Sequence, residues 1–325
     1  MISLAVFGAG SLACSVATGF DGLLAMRLLT GLGLGGAFPN LIALSAEAVS
    51  AERRSFAVGT VYAAMPLGGG LAGVLTLVGA AGPADWRSIF LVGGILPLLL
   101  LPLVALYLPH DRRDRQPAAV SPGQPSSARS ARAALFGRDQ VALTINLWCV
   151  FFLVVMLLSI IQNWLPLLLV GKGLAGREAA ATQIAFNVAG ALGATTAGYM
   201  IAGTRKALVP IVAFAMLLVA TTLVAALSMP GPLIFASLTL GFGMLAVQSI
   251  LYGLTPSCYA EAIRGTGVGA AVAVGRAGSV LGPLLAAAVI ALGFTSSQLL
   301  MMLVPIIAAA GVGTLLLTRR IAARS

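Results

Sequence analysis

Apolar residues along this chain arrive in long runs rather than in alternation. Ten runs have helical length, at positions 3–20, 23–46, 56–80, 89–108, 141–170, 180–202, 207–228, 232–255, 266–292 and 297–318. A helix needs roughly 20 mostly apolar residues to cross about 30 Å of hydrocarbon. Lipid offers backbone N–H and C=O groups no partner, so each run is predicted to be α-helical. The short alternating strands of a membrane β-barrel are missing from the pattern. The expected fold is an all-α membrane protein with ten transmembrane helices, four before a polar interruption and six after it.

The interruption is the segment HDRRDRQPAAVSPGQPSSARSARAALFGRD, residues 110–139, which is basic and rich in Pro, Ser and Ala. That composition reads as a flexible cytoplasmic linker. It divides the chain into an incomplete four-helix N-terminal bundle (1–109), the linker (110–139) and a six-helix C-terminal bundle (140–325).

Composition agrees with the pattern. Of 325 residues, 59% are hydrophobic and 9% charged, and mean hydropathy is +1.04. A soluble protein carries about 25% charged residues, so this chain has too few to cover a water-facing surface. The net charge of +10 would suggest nucleic acid if it formed a patch. With the first connection (Asp21–Gly22) placed outside, however, fourteen of the nineteen basic residues fall on one face: 53–54, 112–138, 205–206, 264 and 319–324. The positive-inside rule makes that face cytoplasmic, with the C-terminus on it. Basicity here is a topology signal, and no basic patch is interleaved with stacking aromatics to bind nucleic acid.

The other motif classes are quickly bounded. Cys14, Cys149 and Cys258 sit in or beside apolar runs without metal-ligand spacing, and read as small packing residues. Residues 1–20 have no basic stretch ahead of the apolar run and are read as a helix rather than a signal peptide. There is no Walker A sequence and no nucleophile beside a histidine; His110, the sole histidine, stands at the start of the linker. An enzyme or an ATP-driven pump is not expected, nor any cofactor or metal; an ion gradient is the natural energy source.

An internal echo runs through the chain. Glu47, then Arg53–Arg54, precedes a helix with MPLGGGLAG; about 210 residues later Glu261, then Arg264, precedes one with GRAGSVLGP. Repeated halves of this kind are one architecture of secondary transporters. Segment 2 also holds Gly31-x-Gly33-x-x-Gly36, which matches the dinucleotide fingerprint literally but lies inside a membrane helix, where no strand precedes it. The glycines Gly31, Gly33 and Gly35 are expected instead to give one bare helix face, for close packing or for a sliding contact. Gly278 and Gly282, followed by Pro283, repeat the four-residue spacing of Gly31 and Gly35.

Charge inside the membrane is the sharper signal. Arg276 lies about 15 Å into its helix at 1.5 Å per residue. Leaving an arginine there costs about 2.5–3.5 kcal/mol, so it is expected to face a cavity or a partner. A guanidinium there suits a carboxylate, which accepts two parallel hydrogen bonds; a structural pairing is the alternative. Arg27 lies nearer its helix end, where it can snorkel. Gln162, Asn163 and Trp164, followed by Pro166, interrupt one apolar helix, while Gln248 and Tyr252 sit one turn apart on another. Such groups suit an aromatic ring with polar substituents, although Trp164 also fits an interfacial belt. Gln183 and Asn187 form a weaker pair of the same kind.

The strings RLLTGLGLGGAFPNLIALSAEA, RR and DWRSIFLVGGILPL resemble the fourth to sixth helices of a major facilitator superfamily transporter. QNWLPLLLVGKG, QSILYGLTPSCY and IRGTGVGAAVAVGRAGSVLGPLLA resemble its aromatic acid:proton symporters, and the resemblance follows the whole chain in order. It implies twelve helices in two halves, with the first two absent here, and alternating access around a central substrate. By position Arg27 is the motif arginine of the fourth helix, Gly31, Gly33 and Gly35 its companions, and Arg276 the arginine of the eleventh. Pro39, Glu47, Arg54, Arg264, Gly278, Gly282 and Pro283 are the expected gating and packing positions. The second-half loop GYMIAGTRKA has Thr204 where the family usually has aspartate. All nine acidic residues fall at helix ends or in loops, so the proton-coupling carboxylate is expected in the absent pair, with Glu47 the best remaining candidate. The expected function is proton symport of a small aromatic carboxylic acid by a monomer in a bacterial inner membrane. The alternatives are transport of another organic anion or a drug, and a non-transporting membrane protein.

Overall fold

The structure is a computed structural model that describes residues 1–47, 49, 54–77, 86–107, 136–137, 140–201, 208–259 and 263–322. Among them are ten α-helices: α1 (Ile2–Ser15), α2 (Phe20–Glu47), α3 (Arg54–Leu77), α4 (Trp86–Tyr107), α5 (Val141–Val170), α6 (Gly176–Ile201), α7 (Leu208–Ala226), α8 (Pro230–Leu254), α9 (Arg264–Ala291) and α10 (Ser296–Ala322). A 3₁₀ turn, Thr255–Cys258, follows α8. Each helix coincides with one apolar run of the sequence. Seven are long and apolar enough to cross a membrane: α4 to α10. Ile2–Ser15 and Ala64–Leu75 are apolar but shorter.

These helices carry hydroxyls without leaving them bare. Thr182, Thr195, Thr221, Ser237, Thr239 and Thr314 each donate to the carbonyl four residues back. That local bond makes a serine or threonine tolerable in an apolar helix. The ends of α5 and α9 are built alike. Gly173 and Gly293 take φ of 98° and 86°, the left-handed region that favours glycine. Leu174 N–H then reaches Leu169 O at 3.2 Å, and Phe294 N–H reaches Val289 O at 3.3 Å, closing the last turn of each helix.

The chain forms two compact units, Met1–Val61 with Leu71–Gln124, and Tyr62–Gly70 with Pro125–Ser325. In the first unit α1 is central and packs on both α2 and α4. Gly33 of α2 lies against the backbone of Ser3 and Phe7, and Gly94 of α4 against Leu12 and Gly8. Ser11 Oγ donates to Phe90 O at 3.1 Å.

The second unit holds the large core. The closest-packed pairs are α6 with α8 and α5 with α9. Gly193 sits on the backbone of Phe242, and Gly241 on that of Phe186, so the α6–α8 axes approach from both sides. Gly275, Gly278 and Gly282 of α9 lie against Phe151, Phe152, Met156 and Ile160 of α5. α7 packs on α8 and α10, and α10 returns to α5. Leu143, Phe151, Leu157, Phe186, Leu217 and Leu240 are fully enclosed, whereas Leu99, Leu106, Phe235 and Leu284 lie open on outer faces, as lipid-facing residues do.

Most of the linker lies outside the described residues. At its end the ring of Phe136 stands edge-on to Trp148, 5.6 Å between centroids, so this residue belongs to the α5 packing.

Candidate functional site

The polar residues expected to meet substrate in the second unit lie at two levels. At the first, Gln162 of α5 donates through Nε2 to Asn187 Oδ1 of α6 at 2.9 Å, and Asn187 Nδ2 donates to Gln183 O at 3.0 Å. Asn187 is buried and Gln162 half-buried. The side-chain oxygens of Gln162 and Gln183 are enclosed and meet no donor among the described residues. Gly69 of α3 faces the Asn187 amide, where an added Cβ would meet it at 3.5 Å.

Tyr252, Gln248 and Arg276 make up the second level. Tyr252 of α8 stands edge-on to Phe151 of α5, 5.2 Å between centroids. Phe151 also borders Gly275, the neighbour of Arg276. Gln248 is half-buried one turn before Tyr252. Arg276 is exposed and, among the described residues, makes no side-chain hydrogen bond or ion pair; Ser279 Oγ takes its backbone carbonyl at 2.7 Å. Gly278 meets Phe152 and Gly282 meets Met156 and Ile160, so α9 runs parallel to α5 with Arg276 near the level of Phe152. Gln162 lies ten residues further along α5, about 15 Å at 1.5 Å per residue.

The expected trio Gln162, Asn163 and Trp164 is split by its helix. α5 runs unbroken from Val141 to Val170, so successive residues turn by about 100°. Gln162 meets α6, Asn163 is exposed and bonds Ser159 O at 2.7 Å, and Trp164 packs on the core. Pro166, expected to interrupt this helix, stays inside it and has no N–H to offer the Gln162 carbonyl one turn back. The ring of Phe151, which links Tyr252 to the Arg276 level, has no polar signature and could not have been singled out.

In the first unit, the expectation of one glycine face needs correction. Gly31 and Gly35 have no described atom within 4 Å of an added Cβ, whereas Gly33 points to α1. Alternate residues on an α-helix lie about 200° apart, so the three cannot share a face. Arg27, Leu28, Gly31, Leu32 and Gly35 line one open cleft along α2. The Arg27 guanidinium stands 4.4 Å over the ring of Phe90. Such a contact is worth about 0.5–1 kcal/mol where exposed. Pro39, Glu47, Arg54 and Arg264 lie outside the residues whose side chains are described, as do Thr204, Glu261 and the rest of their loops. Pro283 stays inside α9, one residue beyond the Gly282 contact.

At the far end of α5, Lys172 Nζ donates to Ala225 O at 2.8 Å and to Ser297 Oγ at 2.7 Å. Burial lowers its pKa below the ordinary 10.5.

A family model described as "Major Facilitator Superfamily" matches residues 1–283. The chain belongs to the major facilitator superfamily. It is a membrane transporter and not an enzyme. Among curated relatives, the chain is 36% identical over 318 residues to the 3-(3-hydroxy-phenyl)propionate transporter of Escherichia coli (strain K12), covering 98% of this chain and 76% of that one. The gallate transporter of Pseudomonas putida is 31% identical over 319 residues, 90% and 70% of the two chains. The 4-hydroxybenzoate transporter PcaK of Pseudomonas putida is 29% identical over 347 residues, 95% and 75%. The crystal structure of the human organic anion transporter MFSD10 shares the major facilitator fold at TM-score 0.73 and 18% identity, over 96% of this chain and 75% of that one.

Proposed function

We propose that this chain carries a small aromatic carboxylic acid across a bacterial plasma membrane by proton symport. The observation that carries the reading is its similarity to transporters named for 3-(3-hydroxyphenyl)propionate, gallate and 4-hydroxybenzoate, three acids that share an aromatic ring and a carboxylate. Arg276 supplies a guanidinium at mid-helix, free of ion pairs among the described residues, to hold the carboxylate. Tyr252 and Gln248 stand at that level to contact the ring, with Gln162 further along α5. Arg27 is the corresponding cation of the first unit. Alternating access then follows from rocking of the two bundles.

A twelve-helix form is supported by packing inside each unit. α1 packs on α2 and α4 as α7 packs on α8 and α10. Gly33 meets α1 and Gly243, 210 residues on, meets Met216 and Leu217 of α7. Two residues earlier, Gly241 is pressed on Phe186 of α6 while Gly31 has no described neighbour. We infer that the open α2 face seats a counterpart of α6, and that a helix pair equivalent to α5 and α6 completes the first bundle and carries the coupling carboxylate. The protein then acts as a monomer with its C-terminus in the cytoplasm.

Uptake of labelled 3-(3-hydroxyphenyl)propionate into cells expressing the protein, with and without an uncoupler, tests the reading. Uncoupler-sensitive uptake that is lost in Arg276→Gln at unchanged expression supports it. Uptake that survives Arg276→Gln removes the carboxylate role of that residue. Robust proton coupling by this chain alone would place the acid among its own residues instead.

A further inference from the structure

The direction of the hydrogen bonds around Asn187 has a chemical consequence. Asn187 Nδ2 is used on a backbone carbonyl, which can only accept, so Oδ1 is the atom left for Gln162. Gln162 must therefore offer its N–H₂, and its own oxygen is turned away as an acceptor. The amide cannot reverse without setting two oxygens against each other. That oxygen is enclosed and meets no protein donor among the described residues, and one turn before Asn187 the Gln183 side-chain oxygen is in the same condition. The seam of two membrane helices thus encloses two side-chain oxygens that no described donor meets, which is costly unless a donor arrives.

Resting on the aromatic-acid reading above, we propose that Gln162, with Gln183 beside it, reads a hydroxyl on the substrate's ring. A carboxylate is itself only an acceptor at neutral pH and has no proton to offer these two oxygens, so it goes to Arg276. A phenolic O–H is a strong donor and suits the glutamine oxygen. By helix rise Gln162 stands about 15 Å along α5 from the Arg276 level, so the two groups would take opposite ends of an acid whose ring carries the hydroxyl. The site then rejects the ring that lacks the hydroxyl, because the acceptor stays unmet.

The test compares binding of 3-(3-hydroxyphenyl)propionate and 3-phenylpropionate to the purified protein in nanodiscs. The wild type should prefer the hydroxylated acid by at least about tenfold, the effect of one buried hydrogen bond left unmade. In Gln162→Met the preference should fall to within about twofold, through weaker binding of the hydroxylated acid alone. Gln183→Met keeps the Gln162–Asn187 bond and should lower the preference in the same direction, which separates hydroxyl reading from a general loss of packing. Equal binding of both acids by the wild type, or an unchanged preference in both variants, overturns the hydroxyl assignment alone. A wild type that binds neither acid overturns the aromatic-acid reading and this inference with it.

Discussion

Lys172 and Ser297 lie 125 residues apart in the chain, and the lysine Nζ donates to the serine Oγ at 2.7 Å. The same nitrogen reaches Ala225 O at 2.8 Å, one residue from the C-terminal end of α7. A single cation therefore ties the ends of α5 and α7 to the start of α10, where a positive charge also suits the α7 dipole.

Removing that tie should loosen the second unit. Lys172→Met is expected to cost about 1–2 kcal/mol, the usual value of hydrogen bonds from a charged donor less the relief of its partial burial. Thermal unfolding in detergent measures it. The pH dependence has a definite sign. Burial lowers the folded pKa below 10.5, so between that lowered value and 10.5 the unfolded chain holds more protons. Wild-type stability should rise relative to Lys172→Met as pH increases through this window.

The Gln162–Asn187 bond is open to a double-mutant cycle. Gln162→Leu and Asn187→Leu should each destabilise the protein, and the coupling between them should be about 0.6 kcal/mol and no more than about 1.7, the mean and maximum for side-chain bonds inside membranes. Additive effects would mean that the bond contributes nothing.

Glycines at close approaches and glycines on the open cleft should respond oppositely. At Gly193 and Gly241 an added Cβ would strike the backbone of Phe242 and Phe186, so Ala at either site should cost about 1–3 kcal/mol. Gly31→Ala meets no described atom, and should be neutral or slightly stabilising in this chain because alanine favours helix. If a further helix seats on α2, Gly31→Leu should impair the twelve-helix form and spare the present one; folding yields of the two forms decide it.

Phe90→Leu removes the ring under Arg27 and should cost about 0.5–1 kcal/mol. Phe90→Tyr keeps the π face and should cost less, as unfolding midpoints will show.

Helix number, placement and class were legible in the chain because lipid leaves a long apolar run one conformation. The runs at 141–170 and Val141–Val170 coincide to the residue; the run at 180–202 starts earlier in the structure, at Gly176, because Gly176, Arg177 and Glu178 form a polar first turn. The same periodicity did not reveal which neighbour each face meets. Gly31 and Gly33 look alike in sequence, yet one is open and the other lies on Phe7, because a 100° step per residue sends them to opposite sides. Gln162, Asn163 and Trp164 are adjacent letters that diverge for the same reason.

By itself the sequence determined an all-α membrane protein and the residues with chemistry to offer, since these follow from transfer energies and from residue type. Only the tertiary structure decided that Gln162 donates to Asn187 and is left as an acceptor, and that Tyr252 reaches the Arg276 level through Phe151. Those relations depend on the register between packed helices, which glycine contacts set and no single-helix pattern encodes.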